Sequence, residues 1–361
     1  MLDVDIEVDR REFTVAARLS VAPGEKLALF GPSGAGKTTV LEAIAGLVPP
    51  KRGRIAVAGR TLTRTERPRR SVPPWRRRVG LLRQQPALFP HLSVRQNLGY
   101  APGAAARVTE MADLARQLGI EGLLDARPAA LSGGQAHRVA LARLLLAHCD
   151  ALLLDEPYTG LDPGSRRQLT ALLRDLVSAR HVPAVLVAHE LAEAQAFADQ
   201  IAVLDRGAVV QVAPPDEVVL RPASRRVAEL VGYRGFVPVA AAGLPPSAAA
   251  AGEPGNGVRR GPAGAPAAGA AAALPVAGVH PERVRTGAHP GDGIVLSGPV
   301  LASRASGAAW EADISVGGTV VCCRFPGRPP GVGERLTFTA VGAPVFGDGG
   351  RLVRHAEEVR A

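Results

Sequence analysis

The sequence predicts an α/β fold followed by a smaller all-β domain. Residues 1–232 alternate strand-like and helix-like segments, which favours a sheet covered by helices. Residues 233–277 are dominated by alanine, glycine and proline, a composition that cannot supply a core and predicts a linker. Residues 278–361 contain short alternating segments between glycine and proline turns, which predict a small β-barrel or β-sandwich.

The length and composition set outer limits on the kind of protein. At 361 residues the chain is too long for one typical core. We expect no signal peptide, because the first residues lack a basic region followed by an apolar stretch, and no run approaches the roughly 20 apolar residues of a membrane span. Cys149, Cys322 and Cys323 are too few for a disulfide framework and suit a reducing compartment.

The positive charge is concentrated in one segment. The net charge is +10, and residues 51–83 contain twelve Lys or Arg residues against a single acid, Glu66. Trp75 is the only aromatic residue in this stretch, which leaves little for stacking on bases. A solvated basic face, near anionic lipid headgroups, is therefore favoured over a nucleic-acid site, and we expect no nucleic-acid partner.

Residues 31–38 read Gly-Pro-Ser-Gly-Ala-Gly-Lys-Thr, between the apolar run 27–30 and a helical stretch predicted over 39–47. In this strand–loop–helix order the glycines let backbone N–H groups point inward, and the helix N-terminus favours a polyanion. Lys37 would reach the β- and γ-phosphates and Thr38 would bind Mg²⁺, whereas the alternative is an ordinary glycine turn. The predicted phosphate-binding residues are Gly31, Pro32, Ser33, Gly34, Ala35, Gly36, Lys37, Thr38 and Thr39.

Two carboxylates follow a predicted buried strand. Residues 151–154 are continuously apolar, as in a parallel strand covered on both faces, and end in Asp155 and Glu156. In a chain with a glycine loop, Asp155 can hold Mg²⁺ through water and Glu156 can polarise the attacking water. An isolated acidic pair would instead be a solvated turn. Residues 183–188 predict a second buried strand, and residues 201–212 a hairpin.

Residues 131–135 read Leu-Ser-Gly-Gly-Gln, and Ser132 is a suitable N-cap for the helix that follows. The glycines leave backbone N–H groups open to an anion. This pentapeptide resembles the signature motif of ABC-transporter ATPases. The resemblance implies that Ser132, Gly133, Gly134 and Gln135 contact ATP held by the glycine loop of a second copy, in a head-to-tail dimer with two nucleotides.

Further positions match the family in order. Gln84 resembles the glutamine that contacts Mg²⁺, the attacking water and the membrane subunit, although adjacent Gln85 fits equally well. Asp162 resembles the dimer-communication loop and is also a plausible N-cap before Pro163. His189 resembles the switch histidine at the γ-phosphate.

Phe13 is the candidate for stacking on adenine, and its alternative role is a core phenylalanine in an edge strand. The chain departs from the family pattern at residues 158–160, at Glu190 and at His137. These positions are peripheral to the phosphate contacts, so the departures leave the prediction of ATP hydrolysis in place.

The resemblance covers residues 1–232, with a helical subdomain at about 90–150, whereas residues 278–361 resemble the TOBE-like barrel of importer ATPases. It implies an ATP-hydrolysing subunit that uses ATP and Mg²⁺ at the cytoplasmic face of the membrane. Its implied partners are two transmembrane permease subunits, a second copy and, indirectly, a substrate-binding protein. The implied substrate is molybdate or a related oxyanion, with ferric iron or polyamines as alternatives.

Two other classes fit less well. A soluble ABC ATPase acting on DNA or ribosomes usually has two cassettes or a long coiled coil, and this chain has one cassette without sustained heptads. The second class, P-loop kinases, would leave the Leu-Ser-Gly-Gly-Gln sequence of residues 131–135 unexplained.

Overall fold

The computed structural model describes residues 1–100, 108–238, 276–289, 292–307, 309–327, 329–347 and 350–355. These residues form two compact units, Met1–Pro215 and Asp216–Ala361. Most of the predicted linker, residues 239–275, lies outside the described residues, and the predicted domain boundary at residue 232 stays a prediction. No helix in the described part of the chain is long and apolar enough to cross a membrane.

The first unit is built on an eleven-stranded sheet with the order β6-β5-β4-β1-β2-β11-β10-β3-β9-β8-β7. Its strands are β1 (Leu2–Asp9), β2 (Thr14–Val21), β3 (Lys26–Phe30), β4 (Arg52–Val57), β5 (Arg60–Arg64), β6 (Arg70–Ser71), β7 (Val79–Leu82), β8 (Ala151–Asp155), β9 (Ala184–Ala188), β10 (Gln200–Asp205) and β11 (Ala208–Ala213). Strands β10, β3, β9, β8 and β7 are parallel neighbours, whereas β1, β2, β4, β5 and β6 are joined in antiparallel pairs. The predicted hairpin is β10–β11.

The parallel strands end in register. Phe30 pairs with Ala188, Val187 with Asp155, and Leu154 with Leu82. Every residue of β3, β8 and β9 is buried, which explains their continuous apolar sequences. The loops that leave these strands therefore meet at one edge of the sheet, where ligands of open α/β sheets usually bind.

The helices are α1 (Lys37–Ala45), α2 (Val94–Gly99), α3 (Val108–Gln117), α4 (Gly133–Leu146), α5 (Pro163–Arg180), α6 (Leu191–Phe197), α7 (Pro215–Leu220) and α8 (Arg225–Leu230). The bounds predicted for α1 were wrong by two residues at each end. Gly36 is its N-cap, and Gly46, with a φ of 85°, ends it through backbone bonds to Glu42 and Ala43. The predicted caps Ser132 and Asp162 are confirmed at α4 and α5.

The second unit contains two antiparallel sheets. Their strands are β12 (Phe236–Pro238), β13 (Val276–Gly278), β14 (Val284–Thr286), β15 (Gly293–Ser306), β16 (Ala309–Val316), β17 (Thr319–Pro326), β18 (Arg335–Val341), β19 (Pro344–Phe346) and β20 (Leu352–His355). The orders are β12-β13-β19-β20 and β14-β18-β15-β16-β17. The inward faces share a core that includes Phe325 and Phe338. The predicted fold class, an α/β cassette with a separate all-β region, is confirmed.

The buried side chain of Arg77 binds the carbonyl groups at the C-terminal end of α1. Its guanidinium donates to the carbonyls of Ala43 (3.2 Å), Ile44 (2.9 Å) and Val72 (2.8 Å), and to Thr63 Oγ1 (2.9 Å). The residue is 3% exposed, and burial lowers the pKa of its guanidinium. Since the last carbonyls of a helix lack partners and carry partial negative charge, this buried cation stabilises α1 where no water can.

We predict that Arg77→Met destabilises the first unit by about 3 kcal/mol, because four acceptors lose a charged donor in a buried place. For a domain of this size that is roughly 6–12 °C in melting temperature. The matched control is Arg78→Met, since Arg78 is exposed and, within the described residues, its side chain pairs only with Asp150, at 3.2 Å; this variant should lose less than about 1 kcal/mol. Equal melting temperatures for the two variants would contradict this role of Arg77.

Candidate functional site

A cleft lies at the carboxyl edge of the parallel strands, in the first unit. The loop after β3 forms its floor, and residues that follow β7, β8 and β9 form one wall. It is lined by Arg10, Phe13, Ser33, Gly34, Gly36, Lys37, Thr38, Thr39, Gln84, Glu156 and His189.

At two positions the glycine loop leaves no room for a side chain. Gly31 has a φ of 153°, and a Cβ there would lie 2.0 Å from the carbonyl oxygen of Leu204. Gly36 has a φ of 106°, and a Cβ there would lie 2.7 Å from Val15 Cγ2. The loop is also tied to the β10–β11 turn, because Gly207 donates its N–H to the Ala35 carbonyl at 3.1 Å. The loop is therefore held in its curved form before any ligand binds.

Lys37 is a buried cation whose ammonium group is bound by main-chain carbonyls. It is 6% exposed, and its ammonium group donates to the carbonyls of Gly31 (2.7 Å) and Pro32 (2.9 Å). Burial lowers its pKa, an effect that Glu156 and Asp155 oppose more weakly. Among the described residues no carboxylate lies within 4 Å of this ammonium group. A site of this kind fits a polyanion that takes up the remaining donor capacity.

Thr38 and Asp155 form a pair of oxygen ligands at the cleft floor. The Thr38 hydroxyl donates to Asp155 Oδ1 at 3.2 Å. Burial raises the pKa of Asp155, and the bond from Thr38 offsets this in part. A hydroxyl, a carboxylate and the amide oxygen of nearby Gln84 are hard oxygen donors of the kind Mg²⁺ prefers. The residues present therefore fit Mg²⁺, whose positive charge would offset the negative charge of the buried Asp155 carboxylate.

Glu156 follows β8, and its carboxylate contacts side chains that follow β7 and β9. Its Oε2 accepts from Gln84 Nε2 at 2.9 Å, and its Oε1 contacts His189 Nε2. Its backbone is left-handed, with a φ of 53°, which is rare for a residue with a side chain and turns the carboxylate toward the cleft. The structure thus brings together the three residues predicted for catalysis, and Gln84, not Gln85, makes the contact.

Phe13 lies in the turn between β1 and β2, so it belongs to neither strand. Its ring packs partly against the main core and borders the cleft. It rests against Gly207, where a Cβ would lie 2.8 Å from Phe13 Cδ2. The alternative of a core phenylalanine in an edge strand was therefore wrong about the strand, whereas partial core packing and stacking on a ligand are both compatible with this position.

Arg10 is a cleft residue that sequence reasoning missed. Its guanidinium donates to Thr39 Oγ1 and to Glu42 Oε2, both at 2.9 Å, so it links the β1–β2 turn to α1. No local pattern distinguishes Arg10 from Arg11 beside it, because only the pairing of distant elements places one of them at the cleft.

The residues 132–135 and Asp162 do not line this cleft. Ser132 and Gln135 form a capping box at the start of α4, and Asp162 caps α5. Hydrogen bonds lower the pKa of Asp162, first the one from the Ser165 hydroxyl. In α4, burial lowers the pKa of His137, and the backbone of Pro157 opposes this shift more weakly.

Comparisons with known proteins agree with these motifs. The ABC transporter family profile matches residues 16–159. The thiamine import ATP-binding protein ThiQ of Jannaschia is 40% identical over 220 residues, which are 60% of this chain and 93% of that protein. The Fe(3+) ions import ATP-binding protein FbpC of Mesorhizobium japonicum is 40% identical over 62% of each chain. The molybdenum import ATP-binding protein ModC of Mycobacterium tuberculosis is 41% identical over 63% of each chain. This chain thus aligns with less than two thirds of the last two relatives.

Solved structures share the fold of the first part. The structure of an ATP-binding subunit of an ABC transporter has a TM-score of 0.54 and 28% identity, covering 64% of this chain and 94% of that one. A dimeric ATP-binding cassette bound to ADP and Pi has a TM-score of 0.52 and 24% identity, covering 60% and 99%, and supports the fold alone.

We predict that Lys37→Ala lowers the affinity for Mg-ATP at least about 10-fold, because a phosphate loses a charge-assisted hydrogen bond in a buried place. The control is Lys51→Ala, since Lys51 is exposed, does not line the cleft and pairs with Asp9, at 2.9 Å. Titration with a fluorescent ATP analogue measures both. Unchanged affinity in the Lys37 variant would contradict the assignment of the loop.

Proposed function

Because this chain belongs to the ABC transporter family, we propose that it binds Mg-ATP in the cleft and hydrolyses it to ADP and phosphate as the energising subunit of an importer. The observation that carries the proposal is the contact of Glu156 with both Gln84 and His189 at the wall that faces Lys37. A carboxylate and two hydrogen-bonding groups would then lie beside the terminal phosphate of a bound nucleotide.

The triphosphate would accept the hydrogen bond that the Lys37 ammonium group still has to donate beside its two carbonyl partners. The inward N–H groups of residues 33–38 and the N-terminus of α1 would bind the β- and γ-phosphates. Thr38, Asp155 and Gln84 would hold Mg²⁺, which supplies charge neutralisation between the phosphates. Phe13 would contact the adenine ring at the outer end of the cleft.

Glu156 would polarise the attacking water. The carboxylate accepts from Gln84 and contacts His189, so two side chains fix its orientation before water enters. Gln84 would keep the water in line with the scissile bond, and His189 would hydrogen-bond the γ-phosphate. Because most of phosphoryl-transfer catalysis is positioning and electrostatics, this set would support the attack of water on the γ-phosphate, with ADP as the leaving group and no covalent bond to the protein.

A second copy would complete each site. The N-terminal end of α4, with residues 132–135, lies outside the cleft of its own chain and offers backbone N–H groups to an anion. We infer a head-to-tail dimer in which these residues and Asp162 reach the nucleotide of the partner. Closure around two ATP and opening after hydrolysis would then be the motion that drives transport.

The membrane partner would bind beside Gln84. An apolar groove there is lined by Leu81, Phe89, Tyr100, Arg143 and Leu144, among others. Phe89 contacts Tyr100, with ring centroids 4.3 Å apart, and Arg143 lies over the Phe89 ring. Docking of a permease subunit in this groove would place the chain peripherally at the cytoplasmic face of the membrane, with two permeases and, indirectly, a substrate-binding protein as partners.

For the transported substrate we propose molybdate or a related oxyanion. The relatives are named as import proteins for iron, molybdenum, sulfate/thiosulfate or thiamine. Their sequence identities to this chain are similar, so similarity alone does not discriminate among these substrates. Uptake of labelled molybdate, ferric iron and polyamines by cells that produce the chain with its permease discriminates these candidates.

We predict that Glu156→Gln keeps ATP binding and lowers turnover by about 100-fold or more, because an amide cannot accept the water proton. Phosphate release and nucleotide titration give the two readouts. The control is Glu121→Gln, which neutralises an exposed carboxylate outside the cleft and should leave both unchanged.

Two results would contradict this assignment. Unchanged hydrolysis in the Glu156 variant would remove the carboxylate from catalysis. Loss of ATP binding together with hydrolysis would show that the carboxylate holds the nucleotide and does not act on water.

A further inference from the structure

The basic segment of residues 51–83 divides into residues that pair with a carboxylate or are buried, and arginines that do neither. Lys51 pairs with Asp9, Arg60 and Arg78 pair with Asp150, and Arg83 pairs with Glu42. Arg77 is buried beneath α1. These five of the twelve basic residues therefore have structural partners.

The other seven share one property: in the described part of the chain, no carboxylate lies within 4 Å of any of them. They are Arg52, Arg54, Arg64, Arg67, Arg69, Arg70 and Arg76. All are exposed except Arg64, which is half-buried. The charge without a carboxylate partner thus lies on the surface of β4, β5 and β6, on the loop that joins β5 to β6 and, at Arg76, on the segment between β6 and β7.

Three of these arginines stand directly opposite one another on adjacent strands. Arg54 of β4 pairs in register with Arg64 of β5, and Arg64 pairs with Arg70 of β6. Residues opposite each other in antiparallel strands project from the same face, and neighbouring strands are about 4.8 Å apart. We name Arg54, Arg64 and Arg70 the arginine ladder.

The acidic residues of the neighbouring strand β1 do not neutralise the arginine ladder. Asp5 of β1 stands opposite Arg54, but its carboxylate accepts from Arg18 on its other side, at 2.6 Å. Glu7 of β1 stands opposite Arg52, which is not part of the ladder. The three cations therefore face each other without an intervening acid.

Folding alone does not explain such an arrangement, because like charges directly opposite in a sheet are destabilising. Protection of the exposed sheet edge would require charge on β6 only. The ladder instead continues over two strands behind that edge. An arrangement that costs stability and presents a row of guanidinium groups is typical of a surface that binds phosphates, which arginine contacts in bidentate fashion.

We propose that the arginine ladder and Trp75 dock on the anionic lipid headgroups of the membrane. Trp75 is 81% exposed, in the segment that leaves β6, and an exposed tryptophan beside cations is typical of proteins at a membrane surface. A single aromatic residue and a sheet face offer no series of stacking platforms for bases. The inference goes beyond the proposed function but depends on it, since that function brings the chain to the membrane.

The test is sedimentation of the full-length protein with vesicles of phosphatidylcholine alone or mixed with phosphatidylglycerol. We expect binding to the anionic vesicles only, weakened by salt. Replacement of Arg54, Arg64 and Arg70 by Gln should lower the partition coefficient on the order of 100-fold, as expected for three arginines near an anionic surface. Replacement of the same three by Lys should retain most of the binding.

The matched control replaces Arg95, Arg116 and Arg285 by Gln, exposed arginines that are paired with Asp125, Asp113 and Asp292. It removes the same charge and should bind vesicles like the wild type. The chain has two tryptophans, so Trp310→Phe leaves Trp75 as the single reporter. Its emission should shift to the blue with anionic vesicles.

Equal loss of binding in the control and the ladder variant would show a general charge effect and overturn the proposal. An unshifted Trp75 emission would do the same. Tighter binding of a single-stranded oligonucleotide than of vesicles, lost only in the ladder variant, would identify a nucleic-acid surface instead. ATP hydrolysis in solution, which these substitutions should not change, tests the proposed function separately.

Discussion

The alignment of the parallel strand ends is the constraint on which the rest of this molecule depends. Because β3, β8 and β9 are buried along their whole length, their register is set by packing, and a slip of one residue would move a buried residue out of the core at one end of the strand. The same register brings Asp155 level with the residue before Ala188, and Ala188 level with Phe30. The site is therefore assembled by packing, from loops that begin at one level of the sheet.

Within that frame, the cleft concentrates partly buried charges of both signs. A buried ammonium group makes hydrogen bonds to carbonyls, and a carboxylate nearby has its pKa raised by burial. The hydrogen bonds around Glu156 orient the group that would act on water. Arg77 serves the same site from below, since it stabilises the far end of the helix whose N-terminus faces the phosphates. Stability of this unit and binding of its ligand are thus linked through α1.

The sequence was most informative where a feature is local. The glycine loop, the apolar strands with acidic ends and the caps Ser132 and Asp162 each depend on a few neighbouring residues, and the fold class followed from their order. The sequence was least informative where contacts between distant elements determine the position of a side chain. Nothing in the run Arg76-Arg77-Arg78 marks the middle residue as the buried one, and only the tertiary structure separates Gln84 from Gln85 or brings Arg10 to the cleft.

The central claim is that ATP is hydrolysed at sites shared between two copies of this chain. The most direct test is the rate of Mg-dependent phosphate release per molecule of wild-type protein over a wide range of protein concentration, with the oligomeric state followed by light scattering. We predict that the rate per molecule rises with concentration and levels off where dimers predominate, because a monomer lacks residues 132–135 at its own cleft. A rate per molecule that stays constant where only monomers are present would contradict the account.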